Sequence, residues 1–167
     1  MERIKVSISD KQRAVRVPSG IRMLARRACH AVLAAEGMDG LYEVSISFID
    51  NRQIRSLNRQ YRNKDAETDV LSFPLGESGV YDVNPETGAK SLGDIVLSLE
   101  KAAVQAKTYE HSFKREVAYL IVHSMLHLLG YEHEKGGLQA LRMREKEEEV
   151  LGNLGLSRTE SFTIHEG

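Results

Sequence analysis

Hydrophobic residues recur along this chain with two periods, and the switches between them predict the elements. Ile4, Val6 and Ile8 share one side of residues 3–9, the period-2 signature of a strand. Pro18-Ser19-Gly20 then punctuates the chain. Ile21, Leu24, Ala25, Ala28 and Val32 follow at i, i+3, i+4, i+7 and i+11, one apolar stripe of a helix. Gly37 and Gly40 bracket the turn that ends it. Residues 44–48, Val-Ser-Ile-Ser-Phe, alternate again and predict a strand with one buried face. Asp50 stands three residues before Gln53, a variant of the capping box that opens a second helix. Ile54, Leu57 and Tyr61 mark the inner face of that helix.

The second half carries shorter signals. Val70-Leu71-Ser72-Phe73-Pro74 predicts a strand stopped by its proline, and residues 93–97 predict a fourth. Between them, residues 76–91 are polar and rich in turn formers, and predict one long loop. Ser98 caps a helix through Lys107, and Ser112 caps the next through Leu129. Gly136-Gly137 precedes a last helix over residues 138–151. Strands and helices mix without strict β-α alternation. The expected fold is therefore α+β: one domain over residues 1–152, a roughly four-stranded mixed sheet with about five helices, and a short tail over 153–167.

The chain has 167 residues, of which 41% are hydrophobic and 28% charged. That suits one domain with a sizeable core. No apolar run approaches the roughly 20 residues that span a bilayer, so no membrane partner is expected. Glu2, Arg3 and Lys5 crowd the first residues without an apolar signal core, which predicts a cytoplasmic protein. The single cysteine, Cys29, excludes an internal disulfide framework and a cysteine-built zinc site, and reads as a packed small residue. A net charge of −1 conceals an asymmetry. Residues 1–64 hold 13 Lys+Arg against 6 Asp+Glu, and residues 65–167 hold 10 against 18. A basic half can face a polyanion, or the two halves can interleave and neutralise each other.

The chemistry concentrates in His123-Ser124-Met125-Leu126-His127-Leu128-Leu129-Gly130-Tyr131-Glu132-His133. His123 and His127 are one helical turn apart and aim the same way. Gly130 can take positive φ, end the helix and bring His133 back toward the same point. An isolated i, i+4 histidine pair is more often structural than not. Here Val117, Ala118, Leu120, Ile121, Val122, Met125, Leu126 and Leu128 predict a helix buried nearly all round. Two imidazoles in such a helix need partners, because a buried unpaired polar group costs about 1–3 kcal/mol. A metal satisfies both. Three histidines at the end of a buried helix thus predict one Zn²⁺, with a fourth position open for water, the form of a catalytic site. The spacing is that of the metzincin peptidases, but Ser124 stands where those enzymes place their glutamate base. A serine hydroxyl cannot take that proton unaided, which disfavours peptide hydrolysis.

Arg52, Arg55, Arg59 and Arg62 form a guanidinium stripe on the second helix, suited to phosphate or simply solvated. The block Asn58-Arg59-Gln60-Tyr61-Arg62-Asn63-Lys64-Asp65, continuing through Thr68-Asp69-Val70-Leu71-Ser72-Phe73-Pro74, resembles the N-x-x-Y-R-x-K-D…T-D-V-L-S-F-P block of the bacterial YbeY family. Leu92-Gly93-Asp94-Ile95 and the histidine segment match in the same order. That family comprises single-domain zinc endoribonucleases of ribosomal RNA maturation and ribosome quality control. The resemblance implies that His123, His127 and His133 are the ligands and that Arg62 is the arginine required near the metal. Arg59 and Lys64, in the same block, are the candidate substrate contacts. It also implies RNA, ribosomal RNA and ribosomal particles as partners, with DNA not expected. Ser124 replaces the family's usual glycine, Glu132 its aspartate, and Ala66-Glu67 stands where a proline is common; none is a ligand.

The implied function is single-strand-specific, zinc-dependent cleavage in maturation of the small-subunit ribosomal RNA 3′ end. A non-catalytic, zinc-stabilised assembly factor and a peptidase-like zinc hydrolase are the competing readings. Asp94 is a candidate partner for a ligand imidazole. Thr68, Asp69 and Ser72 are explained as well by strand-end capping as by catalysis. His30, His111 and His165 read as structural or exposed, and the acidic run over residues 145–149 as a solvated helix face.

Overall fold

The N-terminal alternating stretch forms β1 (Glu2–Asp10), which lies parallel to β2 (Gly40–Ile49) with α1 (Ile21–Ala35) crossing between them. On the other side of β2, β6 (Lys90–Ser98) adds in parallel, and β3 (Val70–Pro74) closes the sheet antiparallel in the order β1-β2-β6-β3. The computed structural model describes residues 2–77, 79–134 and 136–156. Among these, α2 (Asn51–Arg62), α3 (Leu99–Thr108), α4 (Phe113–Leu128) and α5 (Gly137–Asn153) complete five helices. The α+β expectation of a four-stranded mixed sheet and about five helices holds. None of these helices is long and apolar enough to cross a membrane.

The sheet buries its two faces unequally. Val44, Ile46 and Phe48 of β2, with Ile95 and Leu97 of β6, face α1 and α4 in the main core. The intervening residues Ile49 and Val96, with Leu71, meet Ile54 and Leu57 of α2 on the opposite side. Alternation along each strand thus assigns one face to α4 and the other to α2. α4 is buried nearly all round, as its composition predicts, against α1, α3, α5 and β3. Each fully buried leucine or isoleucine in it contributes about 1.5–3 kcal/mol. Asp50 opens α2 with a reciprocal box: its Oδ1 accepts from Gln53 N at 2.9 Å, and Gln53 Oε1 accepts from Asp50 N at 2.9 Å.

Three expectations need correction. Residues 76–91 are not one loop. β4 (Gly76–Glu77) and β5 (Val80–Tyr81) form an antiparallel ribbon, Val83 bridges to Lys90, and β6 starts earlier than residue 93. Two-residue strands leave no periodicity to detect. Tyr61 is not on the inner face of α2 but 60% exposed, edge-on to Phe73 at a centroid distance of 5.3 Å. Asn58 is buried instead, because its Nδ2 donates to Ala66 O at 3.0 Å and holds the turn after the helix. Asp94 is exposed on β6 and accepts from the Ser45 hydroxyl, so it supports no histidine.

His30, His111 and Cys29 follow their reading. His30 is exposed, and His111 is structural, its Nε2 2.6 Å from the buried Glu116 carboxylate. His165 lies outside the described residues. α5 runs to Asn153, and Leu154 and Leu156 pack on the core; the tail beyond 156 is likewise outside them. Cys29 is fully buried in α1, and burial pushes its thiol up to about 12. A neutral, inaccessible thiol is a poor nucleophile. Ellman's reagent is expected to leave the native protein unmodified and to titrate one thiol after denaturation; rapid native labelling would contradict this packing.

Candidate metal centre

His123 and His127 project from the last two turns of α4, with ring centroids 4.6 Å apart. The helix then ends in a Schellman arrangement. Tyr131 N donates to Leu126 O at 3.0 Å and Gly130 N to His127 O at 3.0 Å, while Gly130 takes φ +103°. A side chain would strain that conformation, and glycine permits it. The reversed chain returns His133 to the pair, its Nδ1 2.9 Å from His127 Nε2. The three histidines each offer one nitrogen, all within 4.8 Å of one another.

The hydrogen bonds fix which nitrogens those are. His127 Nδ1–H donates to Tyr131 O at 2.8 Å, and His123 Nδ1–H donates to Glu147 Oε2 at 2.5 Å. Carbonyl and carboxylate oxygens only accept, so in the neutral rings both Nε2 atoms carry lone pairs. These lone pairs face each other at 3.2 Å. Two acceptors at that distance repel unless a cation lies between them. Tetrahedral coordination at 2.0–2.1 Å sets ligand nitrogens roughly 3.3–3.4 Å apart, so the donor set fits a metal ion. Burial foremost, and then the neighbouring His123, pull His127 below the ordinary imidazole range, against the opposing pull of the Tyr131 carbonyl. The neutral ring that a metal requires is thereby favoured.

The histidines open onto a cavity of about 710 Å³ that Arg62, Asp69 and Tyr81 also line. Arg62 arrives from the last turn of α2 and pairs with Glu134, next to His133, at 3.1 Å. Asp69 is held at the start of β3, with Oδ1 accepting from Val70 N at 2.7 Å and Oδ2 from Gln105 Nε2 at 3.3 Å. Thr68 and Ser72 line the same cavity, whereas Arg59 and Lys64 are exposed and do not. Arg55 of the stripe is committed to Asp65 at 2.8 Å. Ser124 is fully buried and absent from the cavity wall.

One residue at the centre escapes the sequence reading. The acidic run is not wholly solvated, since Glu147 is 6% exposed and reaches His123. The signal existed: Met143, Glu147, Val150 and Leu151 fall at i, i+4, i+7 and i+8, the buried stripe of α5.

Fold and site define a class: an α+β protein with a three-histidine metal cradle opening onto an arginine-bearing cavity. Residues 7–155 match the family described as Endoribonuclease YbeY. A relative of that name from Caldanaerobacter subterraneus subsp. tengcongensis is 51% identical over 160 residues, covering 93% of this chain and 100% of its own. Another from Alkaliphilus metalliredigens is 47% identical over 155 residues, covering 93% and 98%. The solution structure of TM1509 from Thermotoga maritima superposes with a TM-score of 0.56 at 25% identity, covering 90% of this chain and 91% of that one. The chain belongs to the YbeY endoribonuclease family.

Proposed function

We propose that this protein is a zinc-dependent endoribonuclease of the cytoplasm. It cuts single-stranded RNA in maturation of the small-subunit ribosomal RNA 3′ end and in ribosome quality control. The observation that carries the reading is the meeting of three imidazole nitrogens and one arginine on a single cavity. His123, His127 and His133 would hold the zinc ion. When bound, zinc supplies Lewis acidity toward a phosphoryl oxygen and a water of lowered pKa.

The remaining work falls to the chain's own side chains. Arg62 presents a planar fork to the scissile phosphate and offsets charge that builds on its oxygens in the transition state. In the free protein this fork rests on Glu134, with the two side chains 38% and 70% exposed. So exposed a pair contributes at most about 1 kcal/mol. A phosphodiester displaces it readily. The Tyr131 carbonyl holds His127 in its ligand tautomer. Arg59 and Lys64, exposed and outside the cavity wall, would contact the RNA backbone. Ser124, buried away from the cavity, supplies no base of the metzincin kind, which weighs against a peptidase.

The test is cleavage of a structured ribosomal RNA fragment by zinc-loaded protein, with a chelated sample and Arg62→Ala alongside. Cuts confined to unpaired regions are expected, lost on chelation and restored by zinc. Arg62→Ala should be slower by on the order of 10²–10³ while remaining folded, since Arg62 lies at the surface. Cutting that survives chelation and the substitution would sink the reading. A 2′,3′-cyclic phosphate on the product would assign the attack to the RNA 2′-hydroxyl.

A further inference from the structure

Glu147, a carboxylate in the interior, needs a partner and has one on the neighbouring helix. It sits on the buried stripe of α5 between Met143 and Val150, which are 1% and 0% exposed. An ion taken out of water loses its hydration and must recover that loss from close partners. The hydrogen bond that Glu147 makes is to Nδ1 of His123. The ring of Tyr119 also packs near that imidazole, at a centroid distance of 5.8 Å.

We propose that Glu147 is a positioning residue of the metal centre, fixing His123 as an Nε2 ligand and strengthening it as a donor with a buried negative charge. The inference rests on the reading of the three histidines as ligands. The two ligands on α4 are supported differently. His127 donates its Nδ1–H to a neutral carbonyl, that of Tyr131, at 2.8 Å. His123 donates to an acid, at 2.5 Å. A carboxylate behind a ligand imidazole raises the basicity of its far nitrogen and locks the ring plane, as a carbonyl does only weakly. The cradle itself contributes three neutral rings toward a doubly charged ion. Glu147 sets a carboxylate in direct contact with one of those rings. It comes from a different helix, so the packing of α5 on α4 also sets the aim of His123.

The experiment is zinc affinity by chelator competition on the full chain, comparing wild type with Glu147→Gln, Glu147→Ala and Glu149→Gln. Glutamine keeps the shape and an acceptor but not the charge, and so guards against a variant that fails to fold. Glu149 is a half-exposed acid on the same helix, paired with Lys146 at 3.5 Å. Expected are losses of about 10- to 100-fold for Glu147→Ala, a smaller loss for Glu147→Gln, and none for Glu149→Gln. The visible absorption bands of Co²⁺-loaded protein should shift in Glu147→Gln and stay put in Glu149→Gln. Wild-type affinity in both Glu147 variants would overturn the proposal, as would an equal loss in Glu149→Gln, which would mean diffuse charge rather than contact. A wild type that binds no zinc would instead overturn the ligand assignment beneath it.

Discussion

His127→Ala is expected to yield a folded protein that retains no stoichiometric zinc and cuts RNA at least 10²-fold more slowly. Removing a supporting residue around a metal already costs about 10- to 100-fold in affinity or activity, and removing a ligand must exceed that. The fold should survive because of what His127 does not do. Its side chain lies at the edge of the core, half-buried, while Met125, Leu126 and Leu128 around it carry the packing. The substitution leaves the Tyr131 carbonyl short of one hydrogen bond, a loss of about 1 kcal/mol. The turn is held independently by the Tyr131-to-Leu126 and Gly130-to-His127 backbone bonds. Metal content by mass spectrometry, circular dichroism and the cleavage assay together decide the matter. An unfolded variant would favour an ion that merely holds the last helices in place, and a folded, fully active one would remove His127 from the site.

The second large effect is on stability. β6 pairs with β2 through a slip in register: Glu43 faces Ser91 and Val44 faces Gly93, so Leu92 is the extra residue of a bulge and is fully buried. Gly93 takes φ +141° there, a conformation that side chains rarely adopt. A β-carbon at this position would stand 2.3 Å from Phe73 O and 3.0 Å from Leu128 Cδ2. The first neighbour is backbone of β3 and cannot swing aside. Strain and overlap together predict that Gly93→Ala loses on the order of 3 kcal/mol or more, read as a lower midpoint in urea unfolding. A loss below about 1 kcal/mol would mean that the two strands part without penalty. Activity should fall too, because Ser72 and Pro74 of β3 line the cavity and Leu128 adjoins His127.

What could be read in advance follows from the range of each interaction. α1 and α4 announce themselves because their apolar residues recur over three or more turns, and the Asp50–Gln53 cap is local by nature. Convergence of the histidines was legible because its parts, one helical turn and a glycine reversal, lie within eleven residues. The parallel pairing of β1 with β2 and of β2 with β6 brings together residues tens of positions apart, and no local pattern encodes it. The β4–β5 ribbon is too short to show a period. Tyr61 and Asn58 exchange roles because a turn beyond the helix demands an amide, which the stripe alone does not reveal. Glu147 was hidden by its neighbours: surrounded by Glu145, Glu148 and Glu149, it looks like one more solvated acid until the buried stripe of α5 is counted.

The order in which the cavity wall occurs along the chain has a consequence during synthesis. The ribosome delivers Arg62 and then β3 well before α4, and His133 comes after α4 has ended. β1, α1 and β2 form a continuous early stretch whose strands pair with each other. The cradle has no such early half, since all three of its nitrogens lie in the last third of the chain. A nascent chain stalled between residues 62 and 132 therefore carries the arginine without all three histidines, and under the proposed function a fragment released in that window is expected to be silent rather than a partly active nuclease.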